Sequence, residues 1–260
     1  MILKCRDQKD DGRRRLSNRE AVVKKSRIES AWKGQAECEG CTIRDMALFA
    51  DLRAEDFDLI HLPIDELAYD PGSALYHAGD EGTALFTVRS GLVKLVQYLP
   101  DGGQRIVRLL RRGDTAGLEV LLGESYEHSA VVLRPVTVCR LPREVVNRLS
   151  VETPRLHTQL MKRWHSNVKQ ADEWLTGLST GSARSRVARL FLHLAEVEPA
   201  CTGAPEVELF SREDLGAMLG VTTETASRVV AEFKRAGTVT EVRTNRFRCD
   251  LEALRHTAGE

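Results

Sequence analysis

The chain has 260 residues, enough for one large domain or two medium ones with a hydrophobic core. Lysines plus arginines equal aspartates plus glutamates at 38 each, so the global charge neither favours nor excludes a nucleic-acid partner, and local charge has to decide. No apolar run approaches a membrane span, and the start of the chain lacks the apolar segment of a secretory signal. A cytoplasmic protein is therefore predicted, in which the six cysteines are thiols or metal ligands rather than a disulfide framework.

Residues 1–35 form a polar N-terminal extension with the basic runs Arg13–Arg15 and Lys24–Lys25. We expect it to be mobile or to form a short helix from Asn18 to Trp32. A solvated tail without a role and an auxiliary contact to DNA phosphate are both open.

Cys38 and Cys41 form a CxxC pair just before the next region. In thiol oxidoreductases such a pair normally follows a strand and opens a helix of a βαβ unit. Here the pair follows a charged tail and no βαβ alternation comes after it, which disfavours an enzyme of that class. A reversible Cys38–Cys41 dithiol switch stays open.

Residues 36–150 are predicted to form a β domain. Leu85–Leu99 has strand composition interrupted at Ser90–Gly91, and Asp101–Gly103 predicts a hairpin turn before a return strand at Gln104–Leu110. Val131–Val138 is a further strand candidate, with Cys139 after it. Short strands at this spacing indicate a sandwich or barrel.

Residues 151–180 predict a long helix that opens at Pro154 and ends near Gly181–Ser182, which would serve as a hinge. Its apolar residues recur every three or four positions, a narrow seam typical of a two-stranded coiled coil. Packing of this helix on its own domain is the alternative. The seam residues are Leu156, Leu160, Trp164, Val168, Ala171, Leu175 and Leu178.

Residues 181–260 predict a helix at Arg184–Glu196 and then a helix-turn-helix from Ser211 to Gly237. Ser211 is the N-cap of the first helix of this motif, Gly220 occupies the turn, and Thr222 or Thr223 caps the second helix. The inner face of the second helix is apolar, and its outer face is polar near the N-terminal end, where a recognition helix meets base edges. The inner residues are Ala226, Val229, Val230 and Phe233; the outer residues are Thr223, Glu224, Ser227 and Arg228.

A wing hairpin is predicted at Val239–Arg248, with Thr244–Asn245 at its tip. Five residues are placed to contact phosphate, which positions a protein on DNA without selecting sequence. They are Ser211, Arg212, Lys234, Arg243 and Arg246.

The stretch Glu224–Arg228 resembles the E-x-x-S-R recognition signature of the FNR-like branch of the CRP/FNR family of bacterial transcription regulators. The resemblance covers roughly Cys38 to Leu251, and the glycine-punctuated turns of the β region resemble the family's sensor domain. It implies an α+β fold: an N-terminal β jelly-roll sensor domain of the cyclic-nucleotide-binding type, a long dimerisation helix and a C-terminal winged helix-turn-helix. The glycine-punctuated turns are Gly72, Gly79–Asp80, Arg89–Gly91 and Gly113–Asp114.

The resemblance also implies a function. The chain would be a homodimeric, sequence-specific regulator and not an enzyme, bound to double-stranded DNA at a TTGAT-like palindrome, with RNA polymerase as a partner. Oxygen-sensing FNR-like proteins bind a [4Fe–4S] cluster through an N-terminal cysteine group and one cysteine before an apolar-proline step. The resemblance therefore implies that Cys38, Cys41 and Cys139 are cluster ligands. It also implies that the signal is oxygen, redox state or nitric oxide. Thr42–Phe49 has no further cysteine, so the fourth ligand is Cys5 or a small external molecule.

Cyclic-nucleotide-binding members of the family hold the phosphate with an arginine-serine pair and a nearby glutamate. Glu119 stands at the position of that glutamate, but His128 replaces the arginine. Imidazole is mostly neutral near pH 7 and replaces a guanidinium poorly, so a cyclic nucleotide is not expected. An apolar effector or haem, with His61 or His77 as a ligand, remains an alternative.

Overall fold

The structure is a computed structural model that describes residues 46–60, 62, 64–197 and 205–259. Cys5, Cys38, Cys41, His61 and the helix predicted at Asn18–Trp32 lie outside this part of the chain. The chain divides into two compact units, and the main boundary along the chain lies between Ser179 and Thr180.

The first unit is built on an antiparallel sheet, six-stranded in the described residues, which a short helix precedes. The bounds are α1 Ala54–Phe57, β1 Asp65–Tyr69, β2 Ala74–Tyr76, β3 Ala84–Tyr98, β4 Gln104–Leu110, β5 Thr115–Ala116 and β6 Ser129–Pro142. The strand order is β1-β6-β3-β4; β2 also pairs with β6, and β5 with β3. A 3-10 helix at Leu118–Leu122 connects β5 to β6.

The hairpin between β3 and β4 is confirmed. Leu99 N–H donates to the Gly103 carbonyl at 2.8 Å, and the Asp101 carboxylate accepts from Gly103 N–H at 2.9 Å. Gly102 has φ of 82°, a left-handed conformation that glycine adopts without a steric penalty.

The interruption predicted at Ser90–Gly91 is wrong, because β3 runs from Ala84 to Tyr98. The pairing of β3 with β6 shifts register on both sides of Ser90 instead. Gly91 has φ of 86°, and a Cβ there would lie 2.1 Å from the Pro135 carbonyl oxygen. The glycine therefore marks an irregularity inside a continuous strand and not the end of one.

The strand predicted at Val131–Val138 is longer than expected, because β6 pairs with β1 and β3 as far as Arg140 and Pro142 respectively. Cys139 therefore lies within a strand, opposite Glu66 of β1, and does not follow the last strand.

Two helices end the first unit: α2 at Arg143–Glu152 and α3 at Pro154–Gly177. Leu156 and Leu160 belong to the hydrophobic core of this unit and are 0% and 8% exposed. Assigning these two leucines to the seam is therefore wrong, since the first two turns of α3 pack on their own domain. The exposed apolar residues of α3 begin one residue later; they are Met161, Trp164, Ala171, Val168 and Leu175.

Polar contacts fix the start of α3 to the segment before β1. Asp56 is 7% exposed; its carboxylate accepts from Arg155 at 2.8 and 3.0 Å and from the Arg53 N–H at 2.7 Å. Asp51 accepts from the Gln159 amide and pairs with Lys162. The register of α3 on the first unit is thus set by charge as well as by leucines.

We expect Asp56→Asn to lower the free energy of unfolding by about 1–3 kcal/mol at neutral pH, since it removes a charge-assisted hydrogen-bond acceptor. Burial raises the pKa of Asp56, but hydrogen bonds from Arg155 and from the Arg53 N–H outweigh it, and the pKa lies below the ordinary 3.8. The stabilisation is therefore complete above that value and lost as the pH falls through the lower folded-state pKa. Urea unfolding of both proteins at several pH values measures this.

The matched control is Glu55→Gln. Glu55 is adjacent and about 70% exposed, and its nearest cations lie at 3.7 and 3.8 Å. It should change stability little. A difference between the wild type and Asp56→Asn that persists at acid pH would contradict the ionic role of Asp56.

In the described residues, the second unit contains four helices and a three-stranded sheet, and three aromatic rings lie in its core. Phe191 lies 6.3 Å from Phe233 and 5.9 Å from Phe247, centroid to centroid, and each of the three is completely buried. The first helix of this unit, predicted at Arg184–Glu196, has four buried apolar residues on one face: Val187, Leu190, Phe191 and Leu194. The bounds are α4 Ala183–Val197, β7 Glu206–Glu208, α5 Arg212–Leu219, α6 Thr223–Arg235, β8 Val239–Arg243, β9 Arg246–Cys249 and α7 Leu251–Ala258.

Within the described residues, no helix is both long and apolar enough to cross a lipid bilayer.

Candidate nucleic-acid interface

The α5–α6 pair has the predicted helix-turn-helix geometry. The Ser211 hydroxyl accepts from Asp214 N–H at 3.0 Å, which caps α5. Gly220 has φ of 63° in the turn. Thr222, and not Thr223, caps α6, because its hydroxyl accepts from Thr225 N–H at 3.2 Å.

The two faces of α6 divide as predicted. Ala226, Val229, Val230 and Phe233 are at most 4% exposed, so they bind the helix to its own domain. The opposite face is exposed at its N-terminal end and consists of Thr223, Glu224, Ser227 and Arg228.

Glu224 and Arg228 are one helical turn apart on this outer face. Within the residues that the structure describes, neither side chain is engaged in a hydrogen bond or an ion pair. Their polar atoms are therefore open to an external partner.

The wing follows α6. β8 and β9 pair with Thr244–Asn245 between them, and Asn245 has φ of 58°, a conformation that asparagine tolerates better than most residues. The predicted wing hairpin is confirmed.

The residues predicted to contact phosphate have different surroundings. The Lys234 ammonium pairs with the Glu241 carboxylate of β8, and Arg246 pairs with Glu206 at 3.1 Å. The Arg212 guanidinium lies 5.9 Å from the centre of the Phe247 ring, and burial lowers the pKa of Arg212. The interactions of Arg212 and Lys234 within the domain could not be predicted from local sequence.

The cyclic-nucleotide-like region of the first unit contains Glu119 and His128. The Glu119 carboxylate accepts from Glu127 N–H at 3.4 Å. Burial lowers the pKa of His128, although Glu127 and Glu119 oppose this, so the imidazole is neutral at pH 7. A neutral ring lacks the charge with which arginine holds a phosphate.

Arg108 is a residue that the sequence reasoning missed in this region. It lies on β4, and its Nε is buried with no hydrogen-bond partner among the described residues. Burial lowers the pKa of Arg108, while nearby Glu119 opposes the shift. The sequence feature that could have pointed to Arg108 is an arginine among the apolar residues of β4.

Cys139 is the described member of the predicted cluster ligands. It is half-buried, and an Arg89 guanidinium nitrogen lies 3.9 Å from its sulfur while pairing with Glu66 at 2.6 Å. No three histidine, cysteine or acidic residues in the described part of the chain are grouped closely enough to hold a metal. Because Cys5, Cys38 and Cys41 lie outside that part, the cluster stays a prediction.

The thiol of Cys249, and His77 as the alternative haem ligand, have surroundings unlike those of Cys139. Burial raises the pKa of Cys249 to about 12, so this thiol is unreactive at neutral pH. His77 is exposed in a turn, where its backbone N–H donates to Asp80 at 2.8 Å.

A β sensor-type domain followed by a capped helix-turn-helix and a wing defines a DNA-binding transcription regulator. Two family models match the chain: a cyclic nucleotide-binding domain over residues 66–152 and a Crp-like helix-turn-helix domain over residues 185–257. The chain belongs to the CRP/FNR family of regulators, in its FNR-like branch.

Relatives of known identity are regulators and not enzymes. The chain is 29% identical over 212 residues to the transcriptional activator protein Anr of Pseudomonas aeruginosa, covering 79% of this chain and 85% of the relative. It is 28% identical over 202 residues to the fumarate and nitrate reduction regulatory protein of Vibrio cholerae, covering 76% and 81%. A CRP-family transcriptional regulator from Thermus thermophilus superposes with a TM-score of 0.65 at 26% identity, over 74% of this chain and 96% of that structure.

Proposed function

We propose that the chain is a cytoplasmic, homodimeric regulator that binds a two-fold DNA site of TTGAT-like half-sites in response to oxygen, redox state or nitric oxide. The DNA-binding part of this proposal rests on the exposed polar face of α6. Among the described residues, the side chains of Glu224 and Arg228 on this face form no hydrogen bond or ion pair. RNA polymerase is a further proposed partner, because relatives are named as transcriptional activators.

The outer face of α6 suits a G·C base pair. Arg228 can donate two hydrogen bonds to guanine O6 and N7, and Glu224 can accept one from the cytosine amino group. Because the side chains are one turn apart, they reach one pair or two neighbouring pairs. Thr223 and Ser227 lie on the same exposed face and can bond to a base or to phosphate.

Dimerisation is proposed through the exposed apolar residues of α3. Their spacing alternates between three and four residues, the pattern of a coiled-coil seam in which each subunit contributes the same face. The seam residues are Met161, Trp164, Val168, Ala171 and Leu175.

We propose that Cys38, Cys41 and Cys139 hold a [4Fe–4S] cluster, with Cys5 or a small external ligand at the fourth iron. Thiolates are the donors that such clusters require. The partly exposed position of Cys139 on β6 supports this role, in contrast to buried Cys249. When bound, the cluster would supply a group that oxygen and nitric oxide attack. A Cys38–Cys41 dithiol switch is the second candidate, supported by the CxxC spacing.

We expect protein purified without oxygen to be brown and to contain comparable amounts of iron and acid-labile sulfide. Serine at Cys38, Cys41 or Cys139 should remove most of the colour, because an alcohol is a poor ligand for this metal. Cys5→Ser decides between the two fourth ligands, and Cys201→Ser is the matched control that keeps the colour. Absorption spectra with iron and sulfide assays measure this.

A colourless, iron-free protein that binds its operator under these conditions would contradict the cluster. A mass loss of two hydrogens on oxidation, confined to Cys38 and Cys41, would then favour the dithiol switch.

A further inference from the structure

The Glu241 carboxylate joins the recognition helix to the wing. One of its oxygens, Oε2, pairs with the Lys234 ammonium near the end of α6. The other, Oε1, accepts from Asn245 N–H at 3.2 Å at the tip of the wing. The Glu241 side chain is 31% exposed and that of Lys234 45%, so an external anion can approach the pair.

The charge of Glu241 is fixed at neutral pH. The hydrogen bond from Lys234, followed by that from Asn245 N–H, lowers the pKa of Glu241, and Arg212 acts in the same direction. A carboxylate thus lies beside Lys234 and Arg212, two cations that the sequence predicts to contact DNA phosphate.

We propose that Glu241 is a specificity-determining residue, which occupies Lys234 in place of a DNA phosphate and thereby lowers affinity for DNA of arbitrary sequence. The inference rests on the proposed role of α6 and the wing in binding DNA. A phosphate that approaches Lys234 must displace the carboxylate and is repelled by it.

The effect depends on how the DNA is bound. Phosphate contacts supply essentially all of the affinity for arbitrary DNA, whereas base contacts add to it at an operator. At an operator, Glu224 and Arg228 hold the helix in register, so the Lys234–Glu241 pair can persist. Pairing of Glu241 with Lys234 therefore lowers the affinity for arbitrary DNA more than it lowers the affinity for the operator.

Glu241→Gln separates the charge from the structural role. The glutamine carbonyl oxygen can still accept from Asn245 N–H, so the wing turn is retained while the negative charge is lost. Lys234 is then free to contact phosphate. Glu252→Gln removes the same charge from an exposed site on α7 and is the matched control.

The experiment measures binding to a random-sequence duplex by fluorescence anisotropy at two salt concentrations. We expect Glu241→Gln to bind more tightly than the wild type, and its gain at about 50 mM salt to exceed its gain at about 200 mM by about threefold, the effect of one added phosphate contact. Adding Lys234→Met to Glu241→Gln should abolish this gain in affinity. The ratio of operator to random-DNA affinity should fall in Glu241→Gln.

An unchanged affinity and salt slope for Glu241→Gln, a gain that survives Lys234→Met, or an equal gain in Glu252→Gln would overturn the role of Glu241. The proposed function fails by a different result, which is a wild-type protein with no preference for the operator over random DNA.

Discussion

Arg228→Ala is expected to weaken binding to a TTGAT-type palindrome by about 1–3 kcal/mol for each lost bidentate base contact. The guanidinium is exposed on the outer face of α6, and among the described residues it makes no hydrogen bond or ion pair that its removal would break. The variant should also become indifferent to the base at the G·C position, where the wild type discriminates. Titrations with operators substituted one base pair at a time measure both effects.

Arg255→Ala is the control, since it removes the same charge from an exposed position on α7. Glu224→Ala should relax selectivity at the same pair or the adjoining one. Equal losses on operator and random DNA would mean that Arg228 contacts only phosphate, and the recognition role would be wrong.

Val168→Glu is expected to abolish most dimerisation, and with it most operator binding. Val168 is 56% exposed in the single chain and lies at the middle of the proposed α3 seam. Two-fold symmetry would place the two new carboxylates near each other in an apolar interface, where unpaired charges are costly. Sedimentation of oxygen-free and air-exposed samples, with operator titrations, measures the effect.

Ser166→Glu adds the same charge to an exposed position of α3 away from the apolar residues and should leave the dimer intact. A native protein that sediments as a monomer and still binds the palindrome tightly would contradict dimerisation through α3.

The helix-turn-helix could be predicted from sequence because its determinants are local. The Ser211 cap bonds to a backbone group three residues away, and Gly220 satisfies a turn that demands positive φ. The apolar face of α6 follows from its period alone. Such features need no knowledge of distant parts of the chain.

The features that sequence did not predict depend on tertiary contacts. Leu160 has the spacing of the predicted seam, but its side chain is buried in the hydrophobic core of its own domain. The strand containing Cys139 extends beyond the expected end because β1 pairs with it there. The periodicity of one segment cannot reveal which distant segment covers it.

Side-chain contacts between different helices and strands also could not be predicted from the sequence. The sequence predicts both Lys234 and Arg212 to be cations that contact phosphate. In the structure, Lys234 pairs with Glu241, and Arg212 packs on the Phe247 ring. Asp56 and Arg155 are about a hundred positions apart, and neither belongs to a motif. Their pairing follows from the packing of α3 on the first unit.

We propose that α6 reads a defined DNA sequence, and selection of binding sites from a random DNA pool tests this claim. With oxygen-free wild-type protein, we expect enrichment of paired, inverted TTGAT-like half-sites, and we expect Arg228→Ala to lose the preference at their G·C position. Recovery of DNA without any enriched sequence, from protein that is folded and binds DNA, would contradict the claim.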